Sequence, residues 1–324
     1  MGSAIFVFVV LIGGWLLVQA SKTSGVDEVS KSRQSSANAV EGSKTSRNKK
    51  SRGISATNTT VNKSGGSASS TLPGGSFSTQ NLIWEEDFTR YGSSTPSSAR
   101  WNIADSTLPI YNNEAQVYQP GQNTVRVADG ALSLQALRQG NGIVSGRIDT
   151  RNKLSIGVNT RLEARIKLPI GKGTWPAFWL LSQNQPHTSA QKPTAAKWEE
   201  DRFYMWDGEI DIMEAYGTYS SMVEATLHTY DQSVEKDYKL SDPSGWHTYW
   251  MEWRSDTLIL GVDATTLLTY KKDGKGPSGW PLTEDNKYYV ILNLAMGGSG
   301  GGPIVSASSD RWQMDVSRIA AYKL

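Results

Sequence analysis

The sequence predicts an all-β domain over residues 81–324, and three observations lead there. Beyond Asn81 the chain runs in short stretches where apolar and polar residues alternate, the period of a strand with one buried face. Gly, Pro, Asn and Asp separate these stretches, and these are the residues that make tight turns. Long helical periodicity is absent. Many short strands at this spacing build a two-sheet β-sandwich or a barrel. The alternation reads as strands over 83–88, 114–118, 131–137, 161–168, 223–230, 246–253, 257–262 and 288–295.

At the amino terminus, residues 4–18 form an apolar run of 15 residues, short for a membrane span. It ends Val18-Gln19-Ala20, a small-residue cleavage pattern, so residues 1–20 read as a secretory signal. No Lys or Arg precedes the run and Lys22 follows it, the reverse of the usual charge order, so an uncleaved anchor is the competing reading. The expectation is an exported protein, secreted or held at the outer face of a membrane by this segment only.

Residues 21–80 are Ser, Thr, Gly, Asn and Lys with hardly a large apolar side chain. Such a segment cannot bury enough surface to offset its conformational entropy and reads as a disordered linker. It holds nine Lys or Arg against three acids. A charge of that sign suits a polyanionic surface or merely a soluble linker.

The chain has no cysteine, which excludes disulfides and thiolate chemistry. A domain of about 240 residues has core enough to do without them. His187, His228 and His247 are widely separated and lack zinc-ligand spacing. No glycine-rich loop precedes a helix, so nucleotide chemistry is set aside. Neither a cofactor nor a nucleic-acid partner is expected, and the domain is expected to be a monomer.

Within the strand over 161–168, Leu162, Ala164, Ile166 and Leu168 point inward and serve as scaffold. The next segment, GKGTWPAFWLL from Gly171 to Leu181, packs Trp175 and Trp179 around a proline. Flat indoles suit the apolar face of a sugar ring while their N–H finds a polar partner. Core packing is the alternative, most plainly for Trp179, which two leucines follow. Eleven tryptophans fall after residue 80; sugar binding or a protein-recognition surface would each explain the surplus.

The stretch from Trp206 to Gly217, WDGEIDIMEAYG, carries the chemistry. Glu209 and Asp211 alternate with Ile210 and Ile212, giving a strand with one acidic and one apolar face. Glu214 lies five residues after Glu209 and strict period 2 sends it to the opposite face. One β-bulge near Ile212 or Met213 brings it back. Three crowded carboxyls raise the pKa of at least one of them, the arrangement that acid/base chemistry on glycosidic bonds uses. In residues 223–230, His228 shares its face with Glu224 and Thr226. By contrast His247, between Trp246 and Thr248, reads as structural.

These residues carry a resemblance. GEIDIMEAYG is similar to the active-site strand of the laminarinase-like branch of glycoside hydrolase family 16. GTWPAFWLL, the segment Tyr111–Tyr118 (YNNEAQVY), Gly146-Arg147-Ile148, YYVILNLAMGG from Tyr288 and QMDVSRIAAY from Gln313 match further family segments in the same order. The resemblance covers roughly residues 83–323. It implies a concanavalin A-like jelly roll with a concave cleft, and retaining endo-hydrolysis of β-1,3-glucan. By motif position it implies Glu209 as nucleophile, Glu214 as general acid/base and Asp211 as their assistant. It further implies substrate contacts from Asn113, from Arg147 on a turn, from Trp175 and from His228, with Trp179 a candidate contact from its place in the same segment. Asn293, the lone polar residue in an apolar run, is expected to brace the catalytic strand. The loop over 182–205 is expected to wall one end of the cleft. Ser317 stands where many family members place an Asp that holds structural calcium, leaving Asp315 as the nearby carboxylate, so the resemblance stops short of a metal site. Relatives with the same pattern act on mixed-linkage glucans or sulfated galactans, or transfer glycosyl groups. Others are non-catalytic glucan-binding modules, which have lost the glutamates this chain keeps.

Overall fold

The computed structural model describes residues 11–12, 15–16, 81–169, 171–184, 207–219, 221–274, 276, 278–304 and 310–324. All of them belong to one compact unit, Val10–Leu17 with Thr71–Leu324. The expectations for the linker, for most of the signal segment and for most of the loop over 182–205 fall on residues outside this set.

The strands, in chain order, are β1 (Leu11–Ile12), β2 (Trp15–Leu16), β3 (Leu82–Asp87), β4 (Asn102–Ile103), β5 (Gln116–Tyr118), β6 (Val125–Ala128), β7 (Ala131–Gln139), β8 (Gly142–Ser145), β9 (Arg147–Asp149) and β10 (Thr160–Lys167). There follow β11 (Thr174–Ser182), β12 (Glu209–Ala215), β13 (Met222–His228), β14 (Ser233–Lys239), β15 (Trp246–Trp253), β16 (Thr257–Val262), β17 (Thr265–Lys271), β18 (Tyr288–Met296) and β19 (Arg311–Lys323). β1 and β2 pair only with each other.

The remaining strands make a sandwich. One sheet has seven strands in the order β14-β13-β12-β11-β18-β9-β4. The other has ten, running β17-β16-β15-β10-β19-β7-β8-β5 with β3 added to β19 and β6 to β7. The sequence leaves sandwich and barrel open; two separate sheets sharing one core decide for the sandwich, a jelly roll.

The alternation in β10 builds as expected. Leu162, Ala164, Ile166 and Leu168 are all in the core. Their outward neighbours Arg161 and Glu163 are nonetheless buried, because they pair with each other at 3.0 Å and reach Glu252 and Arg318 on the flanking strands. β18 is buried along all nine residues, as a strand covered on both faces must be.

Two expectations need correction. Gly146-Arg147-Ile148 is no turn: Arg147 opens β9, which pairs with β18, and only the glycine before it is special. A Cβ on Gly146 would lie 2.3 Å from the Thr124 carbonyl oxygen. The tryptophan surplus is mostly structural. Of the nine described beyond residue 80, Trp84, Trp101, Trp250, Trp253, Trp280 and Trp312 are buried in the body of the fold.

Candidate active site

The site grows from one irregularity in β12. Its pairing with β13 aligns Glu209 with His228 and Asp211 with Thr226, then skips to Glu214 opposite Glu224. On the other flank, Trp179 faces Asp211 and Phe178 faces Met213, so Ile212 is the extra residue. The bulge therefore sits where the spacing of the acids demands it. Ile210, Ile212 and Met213 all drop into the core, while Glu209, Asp211 and Glu214 share the opposite face.

The carboxyls are held from the neighbouring strands. Trp175 on β11 donates its Nε1–H to Glu214 Oε1 at 2.8 Å. The Tyr216 hydroxyl lies 3.1 Å from Glu214 Oε2 and 2.7 Å from Glu224 Oε1. His228 Nε2 is 3.2 Å from Asp211 Oδ2, and its Nδ1 is 2.6 Å from the Ser233 hydroxyl. That second contact fixes the ring so that one nitrogen faces the acids.

Burial dominates the electrostatics. Asp211 is only 2% exposed, and its pKa stands well above the ordinary value through desolvation, then through repulsion by Glu224. Glu209 and Glu214 are each pushed up to about 8, first by burial and then by the charge of Asp211. Opposing influences differ between them. His228 favours the ionised form of both glutamates, joined by Arg147 at Glu209 and by the Trp175 N–H at Glu214. With three carboxyls crowded in a buried site, the group titrates as a unit and holds a proton that isolated acids would have lost.

Around the acids the expected contact residues separate. Arg147 is stacked between rings, 5.1 Å from the Trp179 centroid and 5.9 Å from that of Tyr118, and its Nε is buried with no hydrogen-bond partner among the described residues. Trp179 donates to Asn293 Oδ1 at 2.6 Å, and Asn293 donates to the Tyr118 hydroxyl at 3.1 Å. Asn293 thus braces Trp179 on β11 rather than the catalytic strand itself, which is one strand further away. Asn113 is exposed in a left-handed conformation, φ 57°. The side chain engaged nearby is that of Glu114, bonded to Gln116 and pushed up by burial while Arg147 pulls it down. Trp175 packs one face on the helical turn Gly298–Gly301, where a Cβ on Gly300 would sit 2.3 Å from the indole.

His247 is structural, between Asp263 Oδ2 at 2.7 Å and the Asp242 carbonyl at 2.6 Å. Asp315 is engaged by Ser133 and Gln313. Glu209, Asp211 and His228 bring donor atoms within 4.8 Å of one another, a grouping that the bulge and the Glu209–His228 pairing already account for.

Three residues of the site, Glu114, Tyr118 and Tyr216, were not singled out from sequence. Glu114 and Tyr118 share the face of Gln116, and Tyr216 follows Glu214 by two, so period 2 contains that signal. Strand period already puts Glu224 on the face of His228, but its place opposite Glu214 comes only from the register of β13 on β12.

The model for glycosyl hydrolases family 16 matches residues 112–299, a span that includes all of these groups. The chain belongs to glycosyl hydrolase family 16. Among the relatives of this family 16 chain, "Glucan endo-1,3-beta-glucosidase A1" of Niallia circulans is 30% identical over 277 residues, covering 75% of this chain and 38% of that one. The present chain therefore spans well under half the length of that relative. "Beta-glucanase" of Rhodothermus marinus is 30% identical over 237 residues, covering 68% of this chain and 77% of that one. The solved structure of the laminarinase from Rhodothermus marinus superposes with a TM-score of 0.64 at 27% identity, over 75% of this chain and 97% of that chain.

Proposed function

We propose that this family 16 chain is an exported endo-β-1,3-glucanase that cleaves laminarin-type glucan with retention of configuration. The observation that carries the reading is the bulge at Ile212, which gathers Glu209, Asp211 and Glu214 on one face. The names of the Niallia and Rhodothermus relatives support the linkage. The apolar run at residues 4–18 supports export, by a cleaved signal or an anchor.

Glu209, ionised with help from Arg147 and His228, attacks the anomeric carbon to form a covalent glycosyl-enzyme. Glu214, kept protonated by its buried surroundings, protonates the departing oxygen and afterwards activates water. Asp211 meets His228 and holds negative charge close to both glutamates, so that loss of a proton from one is coupled to the state of the other. The half-buried indoles of Trp175 and Trp179 supply apolar faces for the sugar, and the Arg147 guanidinium against Trp179 supplies positive charge beside them.

The test compares wild type with Glu209→Ser on laminarin, lichenan and agarose, with the anomer of the first product read by NMR. The expected result is β-configured oligosaccharides from laminarin and no turnover by the variant. Preference for lichenan or agarose would move the substrate within the family. Equal turnover by both proteins would remove Glu209 from the mechanism, and binding without turnover by wild type would make the chain a glucan-binding module.

A further inference from the structure

We propose that Tyr216 and Glu224 form a donor switch for Glu214: the single Tyr216 hydroxyl proton goes to Glu224 while Glu214 is protonated, and to Glu214 once it is ionised. The inference rests on Glu214 being the acid/base. It adds two positioning residues to that role.

The geometry forces a choice. A phenol has one proton and accepts through its lone pairs, yet Tyr216 Oη has two carboxyl oxygens in reach, at 2.7 Å on Glu224 and 3.1 Å on Glu214. The shorter contact identifies the acceptor, Glu224. That carboxylate also accepts from the Thr226 hydroxyl at 3.2 Å, and two donors on one carboxyl favour its charged form. The Tyr216 oxygen then turns a lone pair toward Glu214 Oε2, which suits a protonated Glu214. Glu214 and Glu224 stand directly opposite each other across the β12–β13 ladder, where two full negative charges would repel. One shared hydroxyl and one retained proton relieve that repulsion.

The groups facing this pair come from every neighbouring strand. Glu209 and Asp211 lie on β12 itself, Trp175 on β11, and His228 on β13. Glu235 and Asp237 on β14 lie beside Thr226 and Glu224, and both push the pKa of Glu224 up after burial does. The negative charge of Glu224 in turn helps keep the proton on Glu214. When Glu214 gives its proton to the glycosidic oxygen, the C–O bond breaks and the leaving group departs as a neutral alcohol. The Tyr216 O–H then rotates onto Glu214 Oε2, and Glu224 keeps its bond from Thr226. No proton leaves Tyr216. When Glu214 takes a proton from the attacking water, the hydroxyl swings back.

The two partners of the switch act on Glu214 with opposite sign. A hydrogen bond to a carboxylate is about twice as strong as one between neutral groups, so losing the Tyr216 hydroxyl harms ionised Glu214 more than protonated Glu214. Losing the charge of Glu224 instead makes ionisation easier.

The test measures kcat/KM against pH for wild type, Tyr216→Phe and Glu224→Gln, on laminari-oligosaccharides and on a dinitrophenyl β-laminaribioside. The leaving group of the second substrate departs without protonation. Tyr216→Phe is expected to move the basic limb up, and Glu224→Gln to move it down, each by about one pH unit. Both should lose about 10-fold in kcat/KM on the oligosaccharide at the wild-type optimum, carried by kcat, and little on the dinitrophenyl substrate. Glu224→Gln keeps shape and hydrogen bonding, so it carries the test should Tyr216→Phe fold poorly. A basic limb that stays put in Glu224→Gln, or that fails to rise in a folded Tyr216→Phe, would overturn the switch. So would equal losses on both substrates. Glu214→Gln separates the two layers: if it spares only the dinitrophenyl substrate while the other variants leave the limb unmoved, the acid/base role stands and the switch alone falls.

Discussion

Replacing Glu214 by Gln should make the protein more stable at alkaline pH while abolishing turnover of unactivated glucan. The carboxyl is pushed from 4.5 to about 8 in the folded chain, so between those values the folded state binds a proton that the unfolded state has lost. Stability then falls as pH rises through that window, because the unfolded chain releases its proton first; below 4.5 both states hold the proton and the penalty is absent. A displacement that large is worth at most about 5 kcal/mol at about 1.4 kcal/mol per pH unit. Proton sharing with Asp211 and Glu209, together with partial exposure of the carboxyl, reduces this to about 1–2 kcal/mol. The substituted amide carries no charge, can accept from Trp175 and can donate to Tyr216, so it mimics the protonated acid. For a domain of this size the gain corresponds to about 3–6 °C in Tm at pH 8 and to almost nothing at pH 4. Differential scanning calorimetry of both proteins at the two pH values measures it. An equal gain at both would mean better packing, and no gain at pH 8 would refute the account of a proton held against solvent.

Other substitutions probe the supports of the site. Asn293→Leu strands the Trp179 N–H and the Tyr118 hydroxyl, and should cost about 2–4 kcal/mol in chemical denaturation while raising KM. Gly146→Ala drives a methyl into the Thr124 carbonyl; a loss of at least about 2 kcal/mol and a displaced Arg147 are expected, read by Tm and KM together. Trp175→Phe removes the N–H that favours ionised Glu214, so the basic limb of the pH profile should move upward, opposite in sign to Glu224→Gln.

Much of this was legible in the residues themselves. Three acids at positions 209, 211 and 214 among core aliphatics call for a bulge at a definite place, because period 2 leaves no other way to bring them together. Strands with clean alternation, such as β10 and β15, were found nearly to the residue. Of those the alternation missed, β6, β8, β14 and β17 are short or lie toward sheet margins, where solvent accepts polar residues and blurs the pattern, whereas β11 and β19 are long and central, and burial on both faces breaks the alternation. β9 reads as a turn because Gly146 precedes it, although that glycine answers a close backbone contact. The pairing of Glu214 with Glu224 and the brace from Asn293 to Trp179 depend on which strand lies beside which. A single sequence does not encode that openly. Tryptophan number misleads for a different reason: six indoles serve as ordinary large core side chains.

The unmatched residue in β12 turns the parity of this strand into a constraint on redesign. Straightening it with every residue kept would rotate all that follows by half a period, sending Glu214 inward among leucines and Met213 out toward the sugar. Omitting Ile212 has the opposite result: both neighbouring ladders close, and the last acid stays across from Glu224, with one aliphatic side chain lost from the interior. An engineer seeking heat tolerance can therefore tidy this strand only by shortening it and refilling the space beneath, never by re-pairing it at its present length.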